Sequence, residues 1–197
     1  PFIRPSIKFE FNNLNDSKRA RYKSHKIILN SISRNNKQNV DSLHLDSKSE
    51  KNYIFNGFLL KDITSFNFSA YASNGTTNNK TLLKIFPQVG MDVKYPLVEK
   101  DTSKTLLIEP RLQFFLSPDD YKNSKIRNEE SIEVDLSSSN LFGINRYSGL
   151  DRIESGIRMN YGVFLKKLNR DGSSLSGSLG RNYNQNKQDL FKESTGF

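Results

Sequence analysis

The sequence predicts an all-β protein whose strands run antiparallel and follow one another as a meander. The strongest indication is the alternation of apolar and polar residues with a period of two, which is the period of a β-strand. Residues 83–97 alternate in this way, and residues 106–116 repeat the pattern after a short charged connector, residues 98–105. A helix would need an apolar residue at every third or fourth position, so we predict that both stretches are strands of one hairpin.

Weaker signals extend the pattern along the chain. Alternation or apolar character indicates further strands at residues 7–11, 53–60, 66–70, 157–166 and, in a Gly/Ser-rich form, 173–183. By this criterion we count about eight candidate strands in all.

Turn-forming and polar residues separate these strands. Asn74-Gly75 and Asp171-Gly172 fall between strand candidates, where tight hairpin turns are expected. Residues 34–51 are polar, and no strand signal in them is stronger than the one at residues 40–45. We therefore predict a long loop at residues 34–51. The densest basic run, residues 18–23, is also predicted to lie in a loop.

The composition is polar for a folded chain and narrows the class of protein. Hydrophobic residues make up 35% of the sequence and the mean hydropathy is -0.66, yet there are 14 Phe and 8 Tyr. A soluble domain this polar would have a marginal core, and a disordered chain seldom carries so many aromatic residues. A transmembrane β-barrel permits both features because lipid covers its apolar face while the other face stays polar. A soluble β-sandwich would show the same alternation, so the pattern leaves both classes open.

The charge indicates an anionic partner or a solvated surface. A net charge of +9 and a pI near 9.6 would suit nucleic acid or the phosphates of an anionic lipid. Lysine-rich loops that only keep the chain soluble would give the same charge, and no basic run is long enough for a nucleic-acid arm. The absence of cysteine excludes disulfides, thiolate metal sites and cysteine nucleophiles.

The sequence predicts neither an enzyme nor a cofactor or metal site. His25 and His44 are the only histidines, and their polar contexts predict surface positions. The adjacent carboxylates of residues 119–120 and 129–130 would point to opposite faces of a strand, so neither pair suits acid–base chemistry. No phosphate-binding glycine loop, nucleophile elbow or HExxH motif is present.

Membrane insertion by a helix is not predicted either. No segment approaches the roughly 20 apolar residues that a membrane-spanning helix requires. Residues 1–5 lack the basic and apolar regions of a signal peptide, so we expect the targeting sequence to lie upstream of this chain.

One region carries recognisable motifs. Residues 128–131 read Asn-Glu-Glu-Ser, residues 140–142 read Asn-Leu-Phe, and residues 145–162 read Asn-Arg-Tyr-Ser-Gly-Leu-Asp-Arg-Ile-Glu-Ser-Gly-Ile-Arg-Met-Asn-Tyr-Gly. This text resembles the C-terminal barrel region of LptD (also OstA or Imp), the outer-membrane protein family that assembles lipopolysaccharide. The resemblance covers roughly residues 82–197, and departures such as Tyr147-Ser148 in place of Phe-Pro are mild.

The resemblance implies that residues 1–197 are a partial transmembrane β-barrel domain. The fold expected is an antiparallel meander within a large outer-membrane barrel, and this chain alone would form an open, curved sheet. The region that is specific to the family is residues 126–162. The implied location is the outer membrane of a Gram-negative bacterium.

The implied activity is transport rather than catalysis. The whole protein would pass lipopolysaccharide into the outer leaflet, with a plug lipoprotein like LptE inside the barrel and periplasmic bridge proteins delivering the lipid to an upstream domain. Nucleic acid is not an expected partner. Two alternatives stay open, namely a different outer-membrane barrel such as a porin or receptor, and a soluble β-sandwich that binds an anionic glycan or nucleic acid.

Two groups of candidate site residues follow. The resemblance selects a motif group in the loop and strand of residues 126–162, where charged members either fix the loop or meet lipopolysaccharide phosphates. Alternation selects a second group as lumen-facing, because its members lie opposite the apolar face of the two best strands. The motif group is Asn128, Glu129, Ser131, Asn140, Leu141, Phe142, Asn145, Arg146, Gly149, Asp151, Arg152, Glu154, Gly156, Arg158, Asn160, Tyr161 and Gly162. The lumen-facing group is Lys84, Gln88, Asp92, Lys94, Glu109, Arg111 and Gln113.

Overall fold

In the described part of the chain, ten antiparallel strands form a single sheet. The computed structural model describes residues 2–15, 21–34, 40–73, 80–119, 128, 131–137 and 139–185. The strands are β1 (Phe2–Ile3), β2 (Ser6–Asn15), β3 (Arg21–Arg34), β4 (Val40–Phe55), β5 (Phe58–Ser73), β6 (Lys80–Lys94), β7 (Leu97–Lys100), β8 (Lys104–Leu116), β9 (Ile157–Asn169) and β10 (Ser174–Asn184).

The strand order is that of a meander, which confirms the predicted fold class. The main path runs β1-β3-β4-β5-β6-β8-β9-β10, while β2 also pairs with β3 and β7 with β8. β1 and β2 both pair with β3, and β6 and β7 both pair with β8, each time as successive stretches separated by a short break. The second break contains Pro96, which has no N–H to donate to the ladder. Within the described residues the sheet does not close on itself.

Two predictions about local structure were wrong. The polar loop predicted for residues 34–51 is mostly strand β4, and Arg21–Lys23 of the predicted basic loop begin β3. β4 was missed because both of its faces are largely polar, so period-two alternation is visible only around Leu43 and Leu45. Its backbone is nevertheless held along its length by ladders to β3 and β5.

The hairpin turns also differ from the prediction in part. Residues 53–60 are the end of β4, a two-residue turn at Asn56-Gly57 and the start of β5, rather than one strand. β7 occupies part of the predicted connector 98–105. Asp171-Gly172 does form a turn, with φ of 85° at Gly172. Asn74-Gly75 lies outside the described residues.

The two faces of the sheet have opposite character. Because successive side chains of a strand alternate, each face carries every second residue. Every buried strand residue among those described lies on one face, which we call the polar face; its buried polar side chains are Asn30, Ser42, His44, Asn67, Ser69, Lys84, Gln88, Asp92, Gln113, Arg158 and Asn160.

The other face, which we call the apolar face, exposes its hydrophobic side chains. Ile7, Leu29, Leu45, Phe68 and Ile85 are successive cross-strand neighbours and form one continuous band across five strands. Exposed members of this face include Phe9, Leu29, Phe66, Ile85, Met91, Leu112, Phe114, Ile157 and Leu165. A soluble protein buries such a face, so this distribution of polarity is inverted. Among the described residues, no helix is long and apolar enough to cross a membrane.

We predict that Gly57 is required by the β4–β5 turn. Asn56 and Gly57 have φ values of 46° and 82°, and a Cβ on Gly57 would lie 3.0 Å from the Tyr95 ring. Gly57→Ala should therefore destabilise the folded protein by about 1–2 kcal/mol, the cost of a left-handed residue with a side chain. The measurement is the temperature at which the full-length protein loses its folded mobility on semi-native gels. Gly177→Ala is the control, because its Cβ would meet nothing within 4 Å, and an equal shift for both variants would contradict the prediction.

Candidate functional site

The chain between β8 and β9 packs back onto the polar face. We call residues 131–137 and 139–156 the β8–β9 segment. Within it, Val134 N donates to Arg146 O at 3.1 Å and Ser148 N donates to Ile132 O at 2.9 Å, which pairs its two arms. Ser117 N donates to Gly156 O at 3.2 Å and closes the segment at its base. The segment is therefore a folded unit rather than an extended loop.

A buried carboxylate joins the segment to the sheet. Glu154, only 2% exposed, accepts a hydrogen bond from Arg146 Nε at 2.6 Å and another from Arg158 Nη1 at 2.5 Å. Arg158 projects from β9 onto the polar face, where it is 1% exposed and also donates from Nη2 to Ile144 O at 2.8 Å. One carboxylate thus compensates two guanidinium groups, with a further contact from Glu133 to Arg146 at 3.9 Å.

An aromatic ring supports Arg158 from the sheet. The guanidinium lies 4.9 Å from the ring centroid of Phe115, which is itself fully buried. The ring occupies space that only a glycine on the neighbouring strand leaves open, because a Cβ on Gly90 would lie 2.2 Å from it. Gly90, Phe115, Arg158 and Glu154 therefore form a stack from the sheet to the segment.

A second contact area lies between the segment and β6, β8 and β9. Arg111 forms an ion pair with the buried Asp92, and its guanidinium lies 4.2 Å from the ring centroid of Phe142. Gln113 Nε2 donates to Phe142 O at 3.0 Å, and Gln113 Oε1 accepts from Asn160 Nδ2 at 2.8 Å. These bonds fix the middle of the segment above the polar side chains of three adjacent strands.

A cavity of about 600 Å³ remains between the segment and strands β8–β10. Its lining mixes the charged Glu109 and Arg111 with the apolar Leu141 and Phe142. Leu141 rests on Gly180, where a Cβ would lie 2.3 Å from the Leu141 side chain. Gly180 is paired with Gly162, so the sheet is thin at this point.

The model of the LptD family, described as LPS transport system D, matches residues 2–196. The chain belongs to the LptD family. No curated protein matches it. LptD is an outer-membrane transport and assembly family of Gram-negative bacteria, and membership assigns this chain a role in lipopolysaccharide transport.

Most LptD motif residues on the segment shape its backbone. Asn128 bonds both N–H and C=O of Ser131, and Ser131 Oγ accepts from Asp151 N and Arg152 N at 3.0 Å each. Asn140 bridges Asp135 O and Ser137 N. Asn145 Oδ1 accepts from Glu154 N at 3.0 Å. These asparagines satisfy backbone groups that a turn-rich segment cannot pair internally.

The remaining motif residues take other places. Gly149 and Gly156 have positive φ values of 78° and 83°, which favour glycine. Gly162 approaches β10 so closely that a Cβ would lie 2.6 Å from Leu179 O. Tyr161 lies on the apolar face, away from the other motif residues, and Glu129 lies outside the described residues.

The seven candidates on β6 and β8 all lie on the polar face. Lys84, Gln88, Asp92 and Gln113 are buried there, and Asp92, Arg111 and Gln113 contact one another or the segment. Lys94 and Glu109 form a partly exposed pair at 3.8 Å, with 32% and 21% of their side chains exposed. The structure thus brings Arg111 and Gln113 of this group together with Phe142 and Asn160 of the motif group.

His44 is buried, so the prediction of a surface position was wrong. Nδ1 lies 2.9 Å from Ser69 Oγ and Nε2 lies 3.0 Å from Ser42 Oγ, while the ring meets Tyr71 edge-on. Serine side chains bond the imidazole in place of the water that we expected from the polar sequence around His44. Among the described residues, no group of three or more His, Cys, Asp or Glu could hold a metal ion.

The environment of Tyr147, beside the ion pairs of Glu154, favours the neutral form of its phenol. Burial, with the carboxylates of Glu133 and Glu154, raises the pKa of Tyr147 to about 12. Tyr147 therefore adds no charge to the Arg146 and Glu154 cluster at physiological pH.

Sequence reasoning overlooked several contributors to the site. Gly90 and Phe115 gave no motif signal, and Asn182, which donates to Asn160 Oδ1 at 2.5 Å, lies in the weakly alternating β10. The signal that could have found Phe115 is an aromatic residue on the otherwise polar side of a strong strand.

We predict that Glu154→Gln releases the segment. The substitution leaves the buried Arg158 without its counter-charge and the partly buried Arg146 without its nearer carboxylate, which should cost about 3 kcal/mol or more. In outer-membrane vesicles that contain the full-length protein, protease cleavage within the segment should rise by at least tenfold. Asp135→Asn, an exposed carboxylate on the same segment, is the control. Equal cleavage of both variants would show that the Glu154 bridge does not hold the segment.

We also predict that Gly180→Ala displaces Leu141. The added Cβ would overlap Leu141 and lie 2.9 Å from Tyr161 O, and overpacking of this kind costs about 1–3 kcal/mol. In outer-membrane vesicles that contain the full-length protein with Leu141 kept, protease cleavage within the segment should be faster in this variant than in the parent. Gly177→Ala on the same strand should leave the cleavage rate unchanged, and a rate unaltered by Gly180→Ala would remove the steric argument.

Proposed function

We propose that this chain is wall of the outer-membrane translocon that inserts lipopolysaccharide into the outer leaflet. The polar face lines the lumen and the apolar face meets membrane lipid. The observation that carries the proposal is the inverted burial, with charged and amide side chains enclosed on one face and a continuous apolar band exposed on the other. Lipid is the solvent that stabilises such a band.

The inverted burial argues against a soluble β-sandwich. A sandwich buries its apolar face against a second sheet, whereas here the covering element packs on the polar face. A porin or receptor would share the inversion, and membership of the LptD family favours lipopolysaccharide as the cargo. The activity is thus passage and release of a lipid, without a catalytic step.

The turns give the proposed orientation. The β4–β5, β7–β8 and β9–β10 connections are short, while the connection from β8 to β9 spans residues 117–156 at the opposite end of the sheet. Outer-membrane barrels have short periplasmic turns and longer extracellular loops. We therefore place the β8–β9 segment on the cell-surface side, folded into the lumen.

The partners proposed follow from the same placement. Lipopolysaccharide would pass along the polar face, where Lys84, Gln88, Asp92, Lys94, Glu109, Arg111 and Gln113 are the lumen-facing group. An LptE-like plug lipoprotein would occupy the lumen, and periplasmic bridge proteins would supply the lipid. Within the motif group, Arg146 and Arg158 already share Glu154, which favours their role in fixing the segment over direct contact with phosphates.

Site-specific photocrosslinking in cells tests this function. Probes along residues 84–94 and 109–113 of the full-length protein cover both faces, and Lys94 and Glu109 are the most informative positions because both are partly exposed. We expect lipopolysaccharide adducts there that disappear when upstream lipid supply is blocked. Met91 and Phe114, on the apolar face of the same strands, are the matched controls and should give no supply-dependent adduct. A folded protein without supply-dependent adducts at any polar-face probe would overturn the translocon role.

A further inference from the structure

A groove of about 850 Å³ crosses the apolar face. Aromatic side chains line one end, where the rings of Phe58 and Tyr95 are 4.6 Å apart. Leu112, Tyr161 and Leu179 continue the lining across β8, β9 and β10. The backbone of Gly162 and Gly180 forms part of the floor of the groove between these side chains. Its walls suit an extended hydrocarbon chain.

An arginine lies at the other end of the groove. Arg181 is the cross-strand neighbour of Tyr161 and lies between Leu179 and Tyr183 on the exposed, apolar side of β10. Among the described residues it has no carboxylate partner, in contrast to Arg111, Arg146 and Arg158, which all have one.

The position of Arg181 is unusual for a charge on this face. From β5 to β10, the other charged residues with apolar-face register lie within five residues of a short turn; they are Asp62, Glu99, Lys104 and Lys167. Arg181 instead lies three residues before Asn184, at the end of the sheet from which the long β8–β9 connection leaves. A charge on a lipid-facing strand needs an anionic partner or a path to the interface.

We propose that the groove and Arg181 together bind a phosphorylated lipid of the outer leaflet, namely lipopolysaccharide after its release. An acyl chain would fill the groove between Tyr95 and Leu179, and the Arg181 guanidinium would hold a lipid phosphate through paired N–H donors. The assignment to this leaflet rests on the orientation proposed above. Among the described residues, no carboxylate pairs with Arg181. The lipid phosphate would supply this missing negative charge.

Photocrosslinking at Leu179 in the full-length protein tests the site. The parent should give a lipopolysaccharide adduct, and Arg181→Gln should lower its yield about tenfold, whereas Arg181→Lys should lower it less because the charge remains. Lys167→Gln, on the same face near the short turn, is the control and should not change the yield. Folded mobility on semi-native gels is checked for each variant, and Arg181→Lys keeps the test valid if Arg181→Gln does not fold.

Three results would overturn the site. These are an adduct yield that Arg181→Gln leaves unchanged, adducts with phospholipid alone, and a crosslink from Arg181 to a carboxylate of a neighbouring strand. Blocking lipid supply separates this proposal from the translocon function. Adducts at Lys94 should then disappear, while the Leu179 adduct should persist because it samples lipid already in the leaflet.

Discussion

The carboxylate of Glu154 is the interaction on which the site depends. It accepts hydrogen bonds from Arg146 on the segment and from Arg158 on β9, and both Glu154 and Arg158 are almost fully buried. Each of these charges would be strongly unfavourable in this enclosed place without the others. Arg146 and Glu154 pair within the segment, but Glu154 meets its second guanidinium, that of Arg158, only when the segment lies on the sheet, and the segment then covers Arg158. Because of this coupling, the β8–β9 segment and the sheet form one structural unit.

Polar contacts perform in this sheet the task that a hydrophobic core performs in a soluble domain. Gln113, Asn160 and Asn182 bond in sequence across β8, β9 and β10, so side chains as well as backbone hold neighbouring strands in register. Such bonds are stronger in an enclosed region than in water, and a partner left unpaired there is costly. The few buried apolar groups, such as Phe115 over Gly90, fill gaps between these chains. The low mean hydropathy of the sequence follows from this arrangement.

The same arrangement explains which features the sequence could predict. β6 and β8 were predictable because one face of each strand is almost uniformly apolar. β4 was not, because its exposed face also carries Ser47, Ser49 and Lys51, which leaves alternation at only Leu43 and Leu45. The sequence motif singled out Glu154 and Arg158, which are four positions apart, as charged residues of one region, but it did not predict that they pair. Their pairing depends on how the segment turns back, and that geometry is set by asparagine–backbone bonds and positive-φ glycines that no periodicity reports.

The Gly162–Gly180 pair connects the two sides of the wall. Both glycines border the cavity under the segment and the groove on the apolar face, and their register places the missing side chains on the polar face. Backbone alone gives poor packing on that side, because dispersion contacts scale with neighbouring atoms. Leu141 supplies the missing atoms on the polar face, where it rests on Gly180. On the apolar face Leu112, Tyr161 and Leu179 line the groove above the same backbone, and the acyl chain that we propose there would contact these side chains.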